Sequence, residues 1–179
     1  YTPKGAYAAG EDSSVEFKRL VRSFHENKME VILQMYFPAE MPGYEMLDIL
    51  RYWVMEYHVD GFHLMGDGVQ AVDLFVEDPI LAGIKLWWYR FDKMPDEKCL
   101  AIYQDDYMYS MRKFLKGDEN MVDSAMFHMR YNPERCGRIH YFSNYYGLTM
   151  HDMVAYGRKH NEDNGEENRD GNDYNCSWN

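Results

Sequence analysis

The segment Tyr44–Met65 reads YEMLDILRYWVMEYHVDGFHLM and joins two different patterns of apolar residues. Up to Tyr57 the apolar side chains recur three and four positions apart, which is typical of an amphipathic helix. From Val59 onward, VDGFHLM is a short apolar run with the length of a buried strand. A helix that leads directly into a buried strand is the repeating unit of a parallel sheet, so this segment predicts an α/β fold.

The same order of helix and strand precedes and follows this segment. Three such units in succession predict parallel strands joined by crossover helices. In a sheet of this kind the side chains that meet a ligand follow the carboxyl ends of the strands, where Met65 and Tyr89 fall. The flanking elements that we predict are a helix over Val15–Lys28, a strand over Met29–Tyr36, a helix near Val69–Val76 and a strand over Gly83–Tyr89.

The pattern is less regular after Pro95. The last stretch, Arg158–Asn179, is polar, rich in Gly, Asn and Asp, and has no apolar period, so its composition by itself predicts disorder. Between these points we predict strands over Leu100–Tyr103 and Arg138–Ser143 and helices near Asp105–Leu115, Asn120–Met129 and Thr149–Tyr156.

Length, charge and composition restrict the class of protein. A chain of 179 residues with 46% hydrophobic and 16% aromatic residues can build the core of one globular domain. The net charge of −11 would repel phosphate backbones and anionic lipids, so we expect neither nucleic acid nor a membrane as a partner. The longest apolar runs are also far shorter than the roughly 20 residues that span a bilayer.

The spacing of cysteine and histidine favours neither a disulfide framework nor a metal site. The three cysteines, Cys99, Cys136 and Cys176, lack the paired CxxC spacing of zinc ligands. The seven histidines lack HxxxH or HxH spacing with carboxylate support. We therefore expect no metal, no cofactor and a reduced, cytoplasmic setting.

The polar stretch KHNEDNGEENRDGNDYNCSW, Lys159–Trp178, resembles a loop of a known enzyme family. It is similar to the loop after the seventh barrel strand in bacterial glycogen-debranching enzymes and isoamylases, the α-1,6-acting branch of the α-amylase superfamily. This resemblance implies an ordered loop here. It extends, in the family's order, to four further segments, FKRLVRSFHENKMEVIL, LRYWVMEYHVDGF, YMYSMRKFLKGDE and YGLTMHDMVAY.

The resemblance covers almost the whole chain and implies its fold. Residues 1–179 would form one domain, a partial (β/α)8 TIM barrel that covers about strands three to seven. Strands one, two and eight and the family's flanking domains have no counterpart in the sequence. A barrel opened in this way would expose strand edges with apolar faces, which favours self-association.

Hydrolysis in this family requires carboxylates at particular stations. A retaining glycosidase needs a carboxylate nucleophile and a carboxylic acid on opposite sides of the scissile bond. The family's strand-four motif, GF-Arg-x-Asp, corresponds to GFHLM, so His63 and Met65 replace the arginine and the nucleophile. The acid station corresponds to Tyr89, and a phenol with a pKa of about 10 is a poor proton donor at neutral pH.

The other stations of the family are also altered. Tyr145 and Tyr146 replace the His-Asp pair of strand seven, and Gln34 replaces the leading Asp of strand three. The stations of the three family carboxylates are thus occupied by Met65, Tyr89 and Tyr146. We predict no catalytic residue, and a catalytically inactive homologue of an α-1,6-glucan debranching glycoside hydrolase.

The aromatic substitutions have two interpretations. In the first, these side chains form a platform on which the apolar C–H faces of glucose rings stack, and an α-glucan such as glycogen is the bound partner. In the second, they only fill a shortened cleft. Trp87 and Trp88 are adjacent on one strand and point to opposite faces, and we assign ordinary packing to Trp87. The predicted platform consists of Trp88, Tyr89, Tyr145 and Tyr146.

Two other functions stay open at this point. One is a non-catalytic scaffold or glucan-binding protein that acts through domains outside this chain. The other is an active glycogen-debranching α-1,6-glucosidase whose catalytic groups have moved. Asp67 is one such group, and it lies about 6.6 Å beyond Met65 in an extended chain. The active enzyme rests on family membership and not on a site.

Overall fold

A computed structural model describes residues 13–66, 72–88, 100–132, 136–144 and 147–179. The chain divides into two compact units. The first consists of Tyr1–Ile102 and Arg135–Gly137, and the second of Tyr103–Glu134 and Arg138–Asn179. The assignment of residues 1–179 to one partial barrel domain stays a prediction.

Helices and strands alternate from Ser13 to Trp88 in the first unit, as the periodicity predicts. The described strands form a five-stranded sheet in the order β1-β2-β3-β4-β5, and β1 to β4 pair in parallel. The predicted α/β fold with helices between parallel strands is confirmed. The elements are α1 (Ser13–Glu26), β1 (Ile32–Tyr36), α2 (Gly43–Tyr57), β2 (Gly61–Met65), α3 (Val72–Val76), β3 (Lys85–Trp88), β4 (Leu100–Tyr103) and β5 (Gly137–Ile139).

The register of β1 to β4 assigns alternate residues to opposite faces of the sheet. One row of paired residues runs Leu33, Phe62, Leu86 and Leu100 across the strands. These side chains belong to or pack against the core of the unit. The neighbouring row points to the other face and runs Gln34, His63, Trp87 and Ala101.

Helix α2 covers the apolar face of the sheet. Its buried side chains recur at helical spacing and are Met46, Leu47, Leu50, Trp53 and Tyr57. Phe17 of α1 packs edge-on against Trp53, with ring centroids 5.8 Å apart. Edge-to-face aromatic contacts add to the stabilisation from buried area, so this cluster holds both helices on the sheet.

Gly61 begins β2 because no side chain fits there. A Cβ atom at this position would lie 2.5 Å from the Lys85 carbonyl oxygen and 2.8 Å from Ile32 Cδ1. Real Cβ atoms do not approach neighbours so closely. The glycine therefore allows β2 to lie between β1 and β3.

An ion pair joins α2 to the turn after α3. The Arg51 Nε donates to the buried carboxylate of Asp78 at 2.9 Å. The other carboxylate oxygen accepts from the backbone N–H groups of Ile80 and Leu81, at 3.0 and 3.2 Å. The hydrogen bond from Arg51, supported by the backbone donors and opposed by burial, holds the pKa of Asp78 below its ordinary value.

The second unit contains three further α-helices among its described residues. They are α4 (Asp105–Lys116), α5 (Val122–Arg130) and α6 (Met150–Ala155), followed by a 3-10 turn over Glu162–Asn164. The hydroxyl groups of Ser110 and Ser124 join α4 to α5 at 2.9 Å. Thr149 caps α6 by accepting the backbone N–H of Asp152 at 3.1 Å. No helix in the described parts of either unit has the length and apolar character needed to cross a bilayer.

The polar stretch Arg158–Asn179 is ordered by its own side chains. Lys159 is buried, donates to the Asp170 carbonyl at 3.0 Å and pairs with the Asp173 carboxylate at 2.8 Å. The Asn168 side chain accepts the backbone N–H of Asn161 at 3.1 Å. The prediction of disorder from composition is therefore wrong, because these side chains satisfy the backbone groups that a helix or strand would have paired.

Arg112 is the buried centre of the second unit. This α4 residue has no exposed surface, and its guanidinium donates to three backbone carbonyls. The acceptors are Phe142 at 2.8 Å, Asn175 at 2.9 Å and Leu148 at 3.3 Å. One side chain thus joins the segment after β5, the turn before α6 and the final loop.

Replacing Arg112 by methionine should release these three segments. The variant keeps side-chain volume but leaves buried carbonyls without donors, so we expect the free energy of local opening to fall by about 3 kcal/mol. Hydrogen exchange should accelerate in residues 142–144, 147–148 and 172–178. The matched control on the same helix is Lys116→Met, which changes an exposed ion pair to Asp118 at 3.6 Å and should leave exchange unchanged. Equal protection in both variants would contradict a central role for Arg112.

The Arg51–Asp78 pair should make the free energy of unfolding of the first unit depend on pH in the acidic range. Because the pKa of Asp78 is lowered in the folded protein, its contribution is complete above the ordinary pKa of about 4 and is lost as pH falls through the folded pKa. We expect Asp78→Asn to be less stable than the parent at neutral pH, and the difference to shrink below about pH 4. Asp48→Asn, at Arg51's exposed second partner, should change little. Urea unfolding at several pH values measures both; a difference that does not depend on pH would refute the linkage.

Candidate functional site at the carboxyl ends of the strands

Gln34, His63 and Met65 lie together on one face of the first unit's sheet. Strands β1 and β2 pair Gln34 with His63, and Met65 ends β2 on the same face. The Gln34 amide Nε2 donates to Met65 Sδ at 2.7 Å and lies 3.4 Å from His63 Nδ1. Three positions that the resemblance assigns to catalytic stations are thus in mutual contact, through a single amide.

This group carries no formal charge at neutral pH. His63 is only 6% exposed, and burial lowers the pKa of its imidazole below the ordinary value. The ring is therefore neutral at pH 7, beside a neutral amide and a thioether. Neither an amide nor a thioether can serve as a glycosidase nucleophile or transfer a proton to a leaving oxygen.

The two adjacent tryptophans of β3 lie on opposite faces, and the structure assigns them in the opposite sense from the sequence analysis. Trp88 packs against the apolar core. Trp87 is paired with His63 and Ala101 and is half-buried on the face that carries Gln34. If an aromatic side chain of β3 contributes to a site on this face, it is therefore Trp87 and not Trp88. The sequence had indicated ordinary packing for Trp87.

Four other positions singled out in the sequence lie outside the described residues. Their roles as station, platform or relocated carboxylate stay predictions. They are Asp67, Tyr89, Tyr145 and Tyr146.

A second group, in the second unit, was not found from the sequence. Tyr103, at the end of β4, stacks on Tyr141 with ring centroids 4.3 Å apart and planes at 24°. The Tyr141 hydroxyl donates to the carboxylate of Asp105, the first residue of α4. Tyr107 stacks on His140 at 4.2 Å with nearly parallel planes. We call Tyr103, Asp105, Tyr107, His140 and Tyr141 the tyrosine cluster.

The position of the tyrosine cluster in the fold is that of a ligand site. Tyr103 ends a parallel strand, Asp105 starts the next helix, and His140 and Tyr141 follow β5. The carboxyl ends of parallel strands are where α/β folds hold their ligands. The sequence did contain one indication of this site, because Tyr103 is the last residue of the strand predicted over Leu100–Tyr103. A single tyrosine at a strand end, however, belongs to no motif that identifies a binding site.

The chemistry of the tyrosine cluster suits a neutral, hydroxyl-rich ligand. Stacked phenols offer flat apolar faces and hydroxyl groups, and the Asp105 carboxylate is a strong hydrogen-bond acceptor. The pKa of His140 is lowered by burial and by the neighbouring Arg138 and His128, so the stacked imidazole is neutral at pH 7. Within the described ranges no three His, Cys, Asp or Glu side chains are grouped to hold a metal ion.

Comparison with known proteins identifies relatives of the chain. No protein-family profile matches it. It is 25% identical to the chloroplastic isoamylase 1 of Oryza sativa subsp. japonica, over 100% of this chain and 34% of that protein. It is 25% identical to the glycogen operon protein GlgX homolog of Mycobacterium tuberculosis, over 100% and 35% respectively. The glycogen debranching enzyme of Serratia proteamaculans is 32% identical over 75% of this chain and 24% of its own length. The chain spans about a third of the length of the curated relatives that it matches end to end.

A carboxylate introduced at Met65 should reveal the neutral character of the first group. We expect Met65→Asp to raise the pKa of His63, because a nearby negative charge stabilises the imidazolium. An NMR titration of the His63 ring protons measures the change. Met65→Leu, which adds no charge, should leave the pKa of His63 at its value in the parent chain. An unchanged pKa in Met65→Asp would mean that the two side chains are not neighbours.

Proposed function

Because this chain is a homologue of isoamylases and glycogen debranching enzymes, we propose that it is a non-hydrolysing α-glucan-binding region built on a partial α-amylase-type barrel. Parallel pairing of consecutive strands, with helices between them, supports the barrel. The names of the relatives support glycogen or a starch-like polymer as the ligand class.

The observation that carries the loss of hydrolysis is the contact among Gln34, His63 and Met65. Family chemistry requires a carboxylate at the end of this strand, with a cation beside it to position it. Here a thioether accepts a hydrogen bond from an amide, and a neutral imidazole lies beside them. In this proposal the strands that carry the catalytic position are retained, while the charged side chains of the family are replaced by Gln34, His63 and Met65.

The tyrosine cluster supports retention of glucan binding. Glucose rings have apolar C–H faces that stack on aromatic rings, and their hydroxyl groups bind carboxylates and phenols. Tyr103 and Tyr107 are half-buried, so both rings keep exposed surface on elements that hold them in place. The half-buried Asp105 offers a carboxylate beside these rings for the hydroxyl groups of a sugar.

A second candidate, hydrolysis by relocated groups, is favoured by one contact. Tyrosine acts as the nucleophile in sialidases, where a carboxylate stands beside it as a base. The hydroxyl of Tyr141 donates to Asp105 in the same manner. The substrate of those enzymes is an anionic sugar, and a chain with a net charge of −11 would repel it, so binding is the better supported function.

Glucan binding and hydrolysis are separated by two measurements on the same variants. Affinity electrophoresis in glycogen gels should retard the chain, and Tyr103→Ala and Tyr107→Ala should each weaken the retardation, since stacking on an aromatic ring is lost. Tyr145→Ala and Tyr146→Ala test the platform predicted from the sequence. Tyr52→Phe, on the exposed side of α2, is the control and should migrate like the parent.

Incubation with glycogen, amylopectin and pullulan should release no reducing ends. Reproducible release that Tyr141→Phe or Asp67→Ala abolishes would refute the non-hydrolysing proposal and establish relocated catalysis. Migration that glycogen does not alter, with no release of reducing ends, would refute glucan binding and favour a scaffold that acts through other parts of the protein.

A further inference from the structure

Helix α5 presents an apolar face that its own unit does not cover. Val122, Met126 and Met129 recur at i, i+4 and i+7 and are 57%, 47% and 61% exposed. Phe127, beside this row, is 57% exposed. Ala125 is the buried residue of the helix, and α5 packs on α4. Exposed apolar rows of this kind mark interaction surfaces.

The side chains of this face are held in position. Phe127 stacks on Tyr131 with ring centroids 5.3 Å apart and planes at 16°. The Arg138 guanidinium lies 4.2 Å from the centre of the Tyr131 ring. These rings and their neighbours line a groove of about 420 Å³, formed by Asp123, Met126, Phe127, Arg130 and Tyr131. A surface whose aromatic rings are already ordered loses little entropy when it binds.

The charges at the two ends of α5 are opposite and symmetric about its middle. Asp123 lies in the first turn and Arg130 in the last, and both are exposed. Seven residues separate them, which is about 10.5 Å along a helix. Two copies of α5 packed antiparallel would place each charge opposite its counterpart, and the two helix dipoles would also oppose each other favourably.

We propose that α5 is a self-association surface, and that its partner is α5 of a second copy of this chain. A twofold axis between Met126 and Phe127 brings Asp123 opposite Arg130 of the partner subunit. The same axis brings Met126 against Phe127 of the partner subunit, so that the groove lined by Asp123, Met126, Phe127 and Arg130 is covered. Such an isologous contact is the commonest way in which two identical chains associate.

The contact is expected to be weak and reversible. Nine residues of helix bury less than the roughly 800 Å² per partner of a stable complex, so a dissociation constant on the order of micromolar or higher follows. This surface is separate from the open sheet edges predicted from the sequence, and the inference does not depend on the proposed glucan binding.

Charge reversal tests this pairing on the full chain. Sedimentation equilibrium over a range of concentrations should show a monomer–dimer equilibrium. Asp123→Lys and Arg130→Glu should each raise the dissociation constant about tenfold, because each places like charges together twice in the dimer. The double variant should restore the dimer, since the opposite charges face each other again. Circular dichroism establishes that every variant is folded.

A change in the apolar row gives an independent readout. Met126→Asp should leave the chain monomeric. Met55→Asp, at a methionine of α2 that is 60% exposed, is the control and should dimerise like the parent. A chain that is monomeric at every concentration would overturn the proposal. A dimer whose dissociation constant does not change with the single charge reversals would also overturn the proposal, and pairing through sheet edges predicts that result. A double variant that does not recover dimerisation would overturn it as well. If Met126→Asp abolished the retardation by glycogen but left the molecular mass from sedimentation unchanged, this face would bind sugar and not a second copy of the chain.

Discussion

The parallel register of β1 to β4 is the constraint on which the structure of the first unit depends. Pairing Phe62 with Leu33 and Leu86 places one row of side chains under α2, where water is excluded. Because side chains alternate along a strand, the same register sends Gln34, His63 and Trp87 to the opposite face. The core and the candidate site are therefore two consequences of one pattern of backbone hydrogen bonds, and a shift by one residue would exchange them.

The second unit is organised by a different interaction, the buried guanidinium of Arg112. Among its described residues after β5 the regular elements are α6 and the 3-10 turn over Glu162–Asn164, so backbone groups outside them need other partners. A planar cation with several donors satisfies three of them at once. The asparagine and lysine side chains of the final loop do the same locally, which is why a segment with the composition of a disordered chain is ordered.

The group of Gln34, His63 and Met65 shows what a short motif can predict about a site. The positions of Gln34, His63 and Met65 were inferred from a motif of a few letters, and the structure brings these three side chains together as strand pairing requires. The tyrosine cluster was missed because its members come from two separate stretches of the chain, residues 103–107 and 140–141, and no sequence pattern marks them as a site. The assignment of Trp88 to the ligand side was made without a register, and neighbouring residues on a strand exchange faces when that register is chosen.

The sequence by itself determined the order of the helices and strands, the α/β class and the residues that stand at each strand end. These follow from local periodicity and residue identity, which do not depend on distant contacts. Only the tertiary structure decided which tryptophan packs against the core, which carbonyls Arg112 satisfies and that Tyr141 meets Asp105. Those contacts join residues 30 or more positions apart. Such pairs depend on strand register and on the need of buried polar groups for hydrogen-bond partners. Neither can be predicted from a short stretch of sequence.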